Sequence, residues 1–234
     1  MKKLWNNFID YINKDKRVFA RGLCKEKYFF VFVFMSIFGS LYEELLTLVT
    51  RYIEDGTIMW ESRRGLIYGE LSPVYGFAAV IVVYLLARKK RAWHKNYLYC
   101  VFIGGGFEYF ASFIQEKFAG TISWDYSHHF LNINGRTTIP FMLFWGLIGL
   151  LMIYVFYPAI SKTVESIPYN LGMLVYKVLL VLVFLDIFIS FGAAIRQGLR
   201  NWGYGTYTPL GKFFDKFYPN EKLAKIYHNA IFKT

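Results

Sequence analysis

Apolar residues in this chain come in long runs, unlike the short periodic stripes of a water-soluble fold. Segments 28–49, 72–87, 97–117, 139–160 and 171–194 are rich in Phe, Leu, Ile, Val and Gly and poor in charge. A hydrocarbon core of about 30 Å takes roughly 20 helical residues to cross. Segment 72–87 is short for this unless the stretch before it dips into the bilayer. The pattern predicts an all-α fold: a polytopic membrane helix bundle of about five spans.

The two ends break the pattern differently. In 1–27, Leu4, Trp5, Phe8, Ile9 and Ile12 fall on one helical face, with Lys2, Lys3 and Lys14 elsewhere. That spacing predicts a helix lying in the headgroup plane. In 196–234, Phe213, Phe214, Phe217, Leu223, Ile226, Tyr227 and Ile231 predict two short amphipathic helices broken at Pro219, with Asn220 as a cap. The chain therefore divides into a basic amphipathic segment (1–27), a transmembrane bundle (28–195) and a basic aromatic tail (196–234).

Polar residues inside the apolar runs are the informative exceptions. A charge at mid-membrane costs about 2.5 to 3.5 kcal/mol on insertion scales, so such residues face a cavity, a partner or the interface. Glu44 fits the interface; Glu43 is harder to place there. Glu108, Ser112 and Glu116 are spaced by four and form one stripe of a helix. Lys177 and Asp186 lie on roughly opposite faces of another, so each needs its own partner or, for the lysine, a snorkelling route. The stretch 65–76, with Gly65, Gly69, Pro73 and Gly76, predicts irregular backbone at the membrane edge or a re-entrant segment. Gly104, Gly105 and Gly106 allow close helix approach, and Trp145 suits an interface anchor.

Between the third and fourth runs lies a polar aromatic loop. Asp125, His128 and His129 have donor types that suit zinc, but without a fourth ligand they read as solvent-facing. Trp124, Tyr126, Asn132, Asn134 and Arg136 are more specific. Arg136 is the one basic residue of that loop, and a carboxylate such as Asp125 or Glu108 would hold it; its planar fork also suits an anionic ligand.

The composition is 56% hydrophobic and 21% aromatic, with a net charge of +11. The excess charge sits beside apolar runs, where anionic lipid headgroups are the expected partners; no nucleic-acid motif accompanies it. No phosphate-binding loop of the Walker type is present, so any ATPase belongs to a separate subunit. Cofactors are not implied. The two cysteines, Cys24 and Cys100, do not suggest a disulfide framework. The basic stretch 88–95 and the basic N-terminus predict a cytoplasmic N-terminus in the cell membrane. Five spans then put the basic tail outside, against the same rule.

Phe38-Gly-Ser-Leu-Tyr-Glu43, Gly65-Leu-Ile-Tyr-Gly69, Pro73-Val-Tyr-Gly-Phe77, Glu108-Tyr109, Trp124-Asp-Tyr-Ser127, Asn134-Gly-Arg136 and Phe144-Trp-Gly146 occur in this order. Over about residues 38–158 the chain resembles the bacterial ABC-transporter type IV, or CmpB-like, membrane family. Glu70 stands where that family usually has Pro, and Ser72 where it often has Cys. The resemblance implies a permease-like role. Three readings follow: a transport component whose polar cavity involves Glu43, Tyr68, Tyr75, Glu108, Ser112, Trp124, Asp125, Asn134 and Arg136; a membrane-embedded enzyme acting on lipid or a lipid-linked substrate, with Glu43 or Glu108 as base; or a non-catalytic scaffold in which the acids pair internally.

Overall fold

The structure is a computed structural model that describes residues 2–228 and 230–232. Helix α1 (Lys2–Lys14) precedes four helices or helical runs long and apolar enough to cross a membrane. These are α2 (Lys25–Asp55), α4 (Trp93–Ala119), the run Ile139–Glu165, and α7 (Tyr169–Asn201). The run comprises α5 (Ile139–Leu151), a π turn (Met152–Phe156) and α6 (Tyr157–Glu165). The expected second span is shorter than the rest. It is α3 (Pro73–Leu86), 14 residues long, which reaches only about 21 Å at 1.5 Å per residue. The tail carries α8 (Pro209–Phe217) and α9 (Asn220–Ala224), and four two-residue strands complete the order: β1 (Thr121–Ile122), β2 (Asn132–Ile133), β3 (Thr137–Thr138) and β4 (Ile231–Phe232). The molecule is an all-α membrane bundle.

The crossing elements run up and down, so the molecule has two faces. On the first, Val18 bridges Pro168, the Gly22 N–H donates to Glu165, and the buried Lys27 ammonium reaches Glu165 at 2.6 Å and the Ser161 hydroxyl at 2.5 Å. This face, here the N face, also carries the turn after α3. The opposite face, the C face, gathers the 56–72 loop, the 120–138 loop and the whole tail: β1 pairs with β4, and the Tyr68 and Tyr218 hydroxyls meet at 2.7 Å. The tail thus lies opposite the N-terminus, as an odd number of crossings requires. In α1, Ile12 is buried while Trp5 and Ile9 are exposed; the side chains of Leu4 and Phe8 lie outside the described residues. Asn170 donates to the Tyr11 carbonyl and pins α1 to the start of α7.

Glycine sets the helix spacing. A Cβ at Gly39 would fall 2.1 Å from the Tyr75 ring, one at Gly104 2.4 Å from Trp145, and one at Gly149 2.4 Å from Cys100. Small residues let backbones approach where lipid supplies no hydrophobic drive. Trp145 therefore packs inside the bundle against α4, not at an interface. The π turn follows from Pro158, which has no N–H and whose ring crowds the carbonyl one turn back; the Tyr157 N–H instead reaches the Met152 carbonyl.

Backbone from Gly56 to Ser72 is not helical, yet Leu66 and Ile67 are buried. The Ser72 N–H donates to the Ser36 carbonyl, in the middle of α2. The loop thus descends to the depth at which α3 begins, as the glycine and proline spacing suggested.

Candidate functional site

The stripe on α4 receives the second C-face loop. Asn134 (φ 50°) and Gly135 (φ 67°) are both left-handed, and the Arg136 N–H donates to the Ile133 carbonyl at 3.0 Å. This is the two-residue turn with positive φ at both centres for which Asn-Gly is the preferred pair. A two-residue turn alone would put Ile133 opposite Arg136; the β2–β3 ladder instead puts it opposite Thr137, so Arg136 is an extra, bulged residue. Inside the loop, the Trp124 indole donates to the Arg136 carbonyl at 2.8 Å, and Asp125 accepts from the Ser127 N–H and hydroxyl at 2.9 and 2.5 Å. Asn134 donates to the Tyr109 hydroxyl at 2.9 Å.

Side-chain contacts also fasten this loop to α4. Arg136 binds Glu116 at 2.5 Å and the Ser112 hydroxyl at 3.2 Å. Glu108 accepts from the Thr137 hydroxyl at 2.6 Å and from Tyr126 at 3.2 Å. The carboxylate that holds Arg136 is thus Glu116, not Asp125 or Glu108. Asp125 is taken up by its own turn, and Glu108 by the loop's hydroxyls. His128 and His129 are exposed, the latter with its ring against Tyr126 and Phe141.

Beside this anchor, Tyr75 on α3 crosses Gly39 and donates to Glu43 at 2.6 Å. Its ring lies 6.2 Å from Trp145. Burial pushes the Tyr126 phenol well above its ordinary range, the Glu108 carboxylate adds to this, and Glu43 contributes as well. Glu43, Tyr75, Trp145, Tyr126 and Glu108 therefore share one neighbourhood beneath the hairpin. Tyr68 stands apart from it, on the far loop against Tyr218.

The remaining buried acids serve the re-entrant loop. Glu44 is only 1% exposed, sealed by the loop and not interfacial. It accepts from the Arg63 N–H at 3.2 Å and from Ser40 at 3.4 Å. Asp186 accepts from the Tyr68 N–H at 3.1 Å and from Ser190 at 3.0 Å, and the Ser190 hydroxyl in turn takes the Ile67 N–H at 2.8 Å. Buried non-helical backbone is cut off from water, so the protein must supply acceptors; Glu44 and the Asp186–Ser190 pair do this. Lys177 is exposed on the outer surface of α7, where snorkelling toward the N face is its route to water.

Among the described residues Glu43, Glu44, Glu108 and Asp186 enter no ion pair, whereas Glu61, Glu70, Glu116, Glu165 and Asp215 do. Sequence reasoning singled out Tyr126 in the loop but not as a partner of Glu108, and passed over Thr137, the other direct partner. The Asn134–Gly135 turn signal would have placed a hairpin here, with Thr137 on its second strand. Asn220 is the first residue of α9, not its cap; its side chain accepts from Arg200 at 2.8 Å.

A family model described as Putative ABC-transporter type IV matches residues 30–191. No curated protein and no solved structure matches the chain.

Proposed function

Because the chain belongs to the family described as Putative ABC-transporter type IV, we propose that it is the membrane-spanning component of a transport system, permease-like, working with a separate ATPase subunit. The solute is polar or cationic and meets Glu43, Tyr75 and Glu108, with Ser112, Trp124, Asp125, Asn134 and Arg136 forming the roof and Tyr68 flanking the entrance. One observation carries this reading: the inward carboxylates Glu43 and Glu108 accept from neutral donors and, among the described residues, enter no ion pair. An intramembrane carboxylate without a fixed cation marks an ion or solute pathway, because a mobile cation or proton completes its charge.

The same reasoning orients the molecule. Arg51, Arg63, Arg64, Arg136, Arg196 and Arg200 on the C face are all in ion pairs. Arg88, Lys89, Lys90 and Arg91 on the N face are in none among the described residues. Lys212, Lys216, Lys222 and Lys225 of the tail are in none either, but acids of the C-face loops offset the basic residues there, so the excess positive charge lies with the N-terminus, which we place in the cytoplasm of the cell membrane. There anionic headgroups meet the basic turn and α1.

The test is solute counterflow in proteoliposomes, with and without a co-purified ATPase. Glu43→Gln and Glu108→Gln are expected to abolish uptake of a cationic solute while the chromatographic profile stays monodisperse. Failure of the wild-type protein to move any solute in a broad panel, with the ATPase present, would overturn the reading. A scaffold reading has its own support, since Glu44, Glu108 and Asp186 each hold a loop. It predicts that Glu108→Gln lowers folded yield instead of a specific activity.

A further inference from the structure

We propose that the tail from Gly203 to Phe232 is a hinged lid that closes the C face over the re-entrant loop and Asp186. This stands independently of the transport reading.

The hinge follows α7. Gly203 has a φ of +82°, residues 204–207 are not helical, and Tyr207 is 92% exposed. Beyond the turn, the connection is held chiefly by Arg196, which donates to the Tyr204 and Gly205 carbonyls and to the Thr206 hydroxyl, and glycine permits a wide range of backbone angles.

The latch centres on one carboxylate. Asp215 on α8 accepts from Arg196 at 2.8 and 2.9 Å, from Arg200 at 2.7 Å, and from the Thr206 hydroxyl. Both arginines sit on the last turns of α7, so one side chain fastens the lid to the bundle. Arg200 also holds the Tyr218 carbonyl and the Asn220 side chain.

The cover lies beyond the latch. Leu223 is fully buried in a small cluster with Ile67, Phe214 and Tyr218. The Tyr218 hydroxyl meets Tyr68, whose N–H caps Asp186. The Tyr227 phenol lies against Ser190 and near Asp186, and burial pushes it up to about 12. The chain then crosses to the end of α4, where Ile231 pairs with Ile122. From α7 to α4 the tail thus spans the C-face ends of the bundle. Its apolar cluster is smaller than the main core, so opening the lid exposes less surface than opening the bundle would. Local opening of this kind draws on the least-packed elements.

The test uses a reporter cysteine, Ile67→Cys, in a Cys24→Ala, Cys100→Ala background, treated with a membrane-impermeant maleimide. Asp215→Asn removes the charge-assisted bonds and is expected to speed labelling about tenfold or more. Asp215→Glu, which keeps the charge, is expected to speed it less. Equal labelling rates for the parent and Asp215→Asn would overturn the lid. So would an equal acceleration at Val101→Cys, buried away from the tail, because the effect would then be general loosening. Hydrogen exchange of the wild-type protein in nanodiscs gives a second reading that needs no variant. Amides of 209–224 and of Ile67 and Tyr68 are expected to exchange together, well before those of α7. A tail as protected as α7 refutes the proposal.

Discussion

Asp215 shows what one residue does when two guanidinium groups converge on it. The hydrogen bonds from Arg196 hold its carboxyl far below the usual carboxylate range, with Thr206 and Arg200 adding to the effect. A folded-state value below the ordinary 3.8 means that its contribution is complete above that pH and fades as pH falls toward the folded value. Labelling of Ile67→Cys, taken relative to that of an exposed cysteine at the same pH because the thiolate is the reacting species, should therefore be the same at pH 7 and pH 5 and rise only in stronger acid. A rise already at pH 5 would assign the latch to another group. At Arg136 the decisive property is the planar fork, which reaches Glu116 and Ser112 together. Arg136→Lys keeps the charge but loses the second contact, and should cost about 1 to 2 kcal/mol, seen as a lower melting temperature in detergent. An unchanged melting temperature would free Arg136 for a ligand.

At the scale of elements, close approach and backbone angle matter more than propensity. Gly39→Ala puts a methyl into the Tyr75 ring, and overpacking of this kind costs about 1 to 3 kcal/mol. Displacing Tyr75 also breaks its bond to Glu43. Gly106→Ala, with nothing within 4 Å of the added carbon, should be tolerated or slightly stabilising, by up to about 1 kcal/mol from helix propensity. Thermal unfolding of the pair checks both; equal effects would mean that α2 and α3 are not held at the spacing described. The long spans were legible in the sequence because hydrocarbon length demands unbroken apolar runs. The α4 stripe was legible because residues four apart share a face. What was not legible has physical causes. Arg136 chose Glu116 over Glu108 because the hairpin turn fixes its reach, and that turn was read only as loop. Glu44 was taken for interfacial because its cover, the 61–72 loop, arrives from elsewhere in the chain. The β1–β4 pairing joins residues more than a hundred apart, and no local pattern encodes it.

For the whole molecule, the two faces make a prediction about sidedness. Cysteines placed at Lys89 and at Tyr207, in a cysteine-free background, should label from opposite sides of intact cells, with Tyr207→Cys reached from outside by an impermeant reagent. Labelling of both from one side would require an even number of crossings and break the topology. The shape of the family-matched segment 30–191 also depends on its acids. With Glu44 and Asp186 accepting backbone N–H groups, the re-entrant loop can rest at membrane depth without water.

The brevity of α3 has one more consequence. With roughly 9 Å less helix than a typical bilayer core, this protein meets its lipid along an uneven rim, and acyl chains next to Pro73 must bend or shorten to follow it. Mismatch carries a penalty of a fraction of a kcal/mol per Å. Melting temperature should consequently decline as the host lipid is lengthened from fourteen-carbon to twenty-two-carbon chains, so that bilayer thickness itself sets how firmly the bundle is seated.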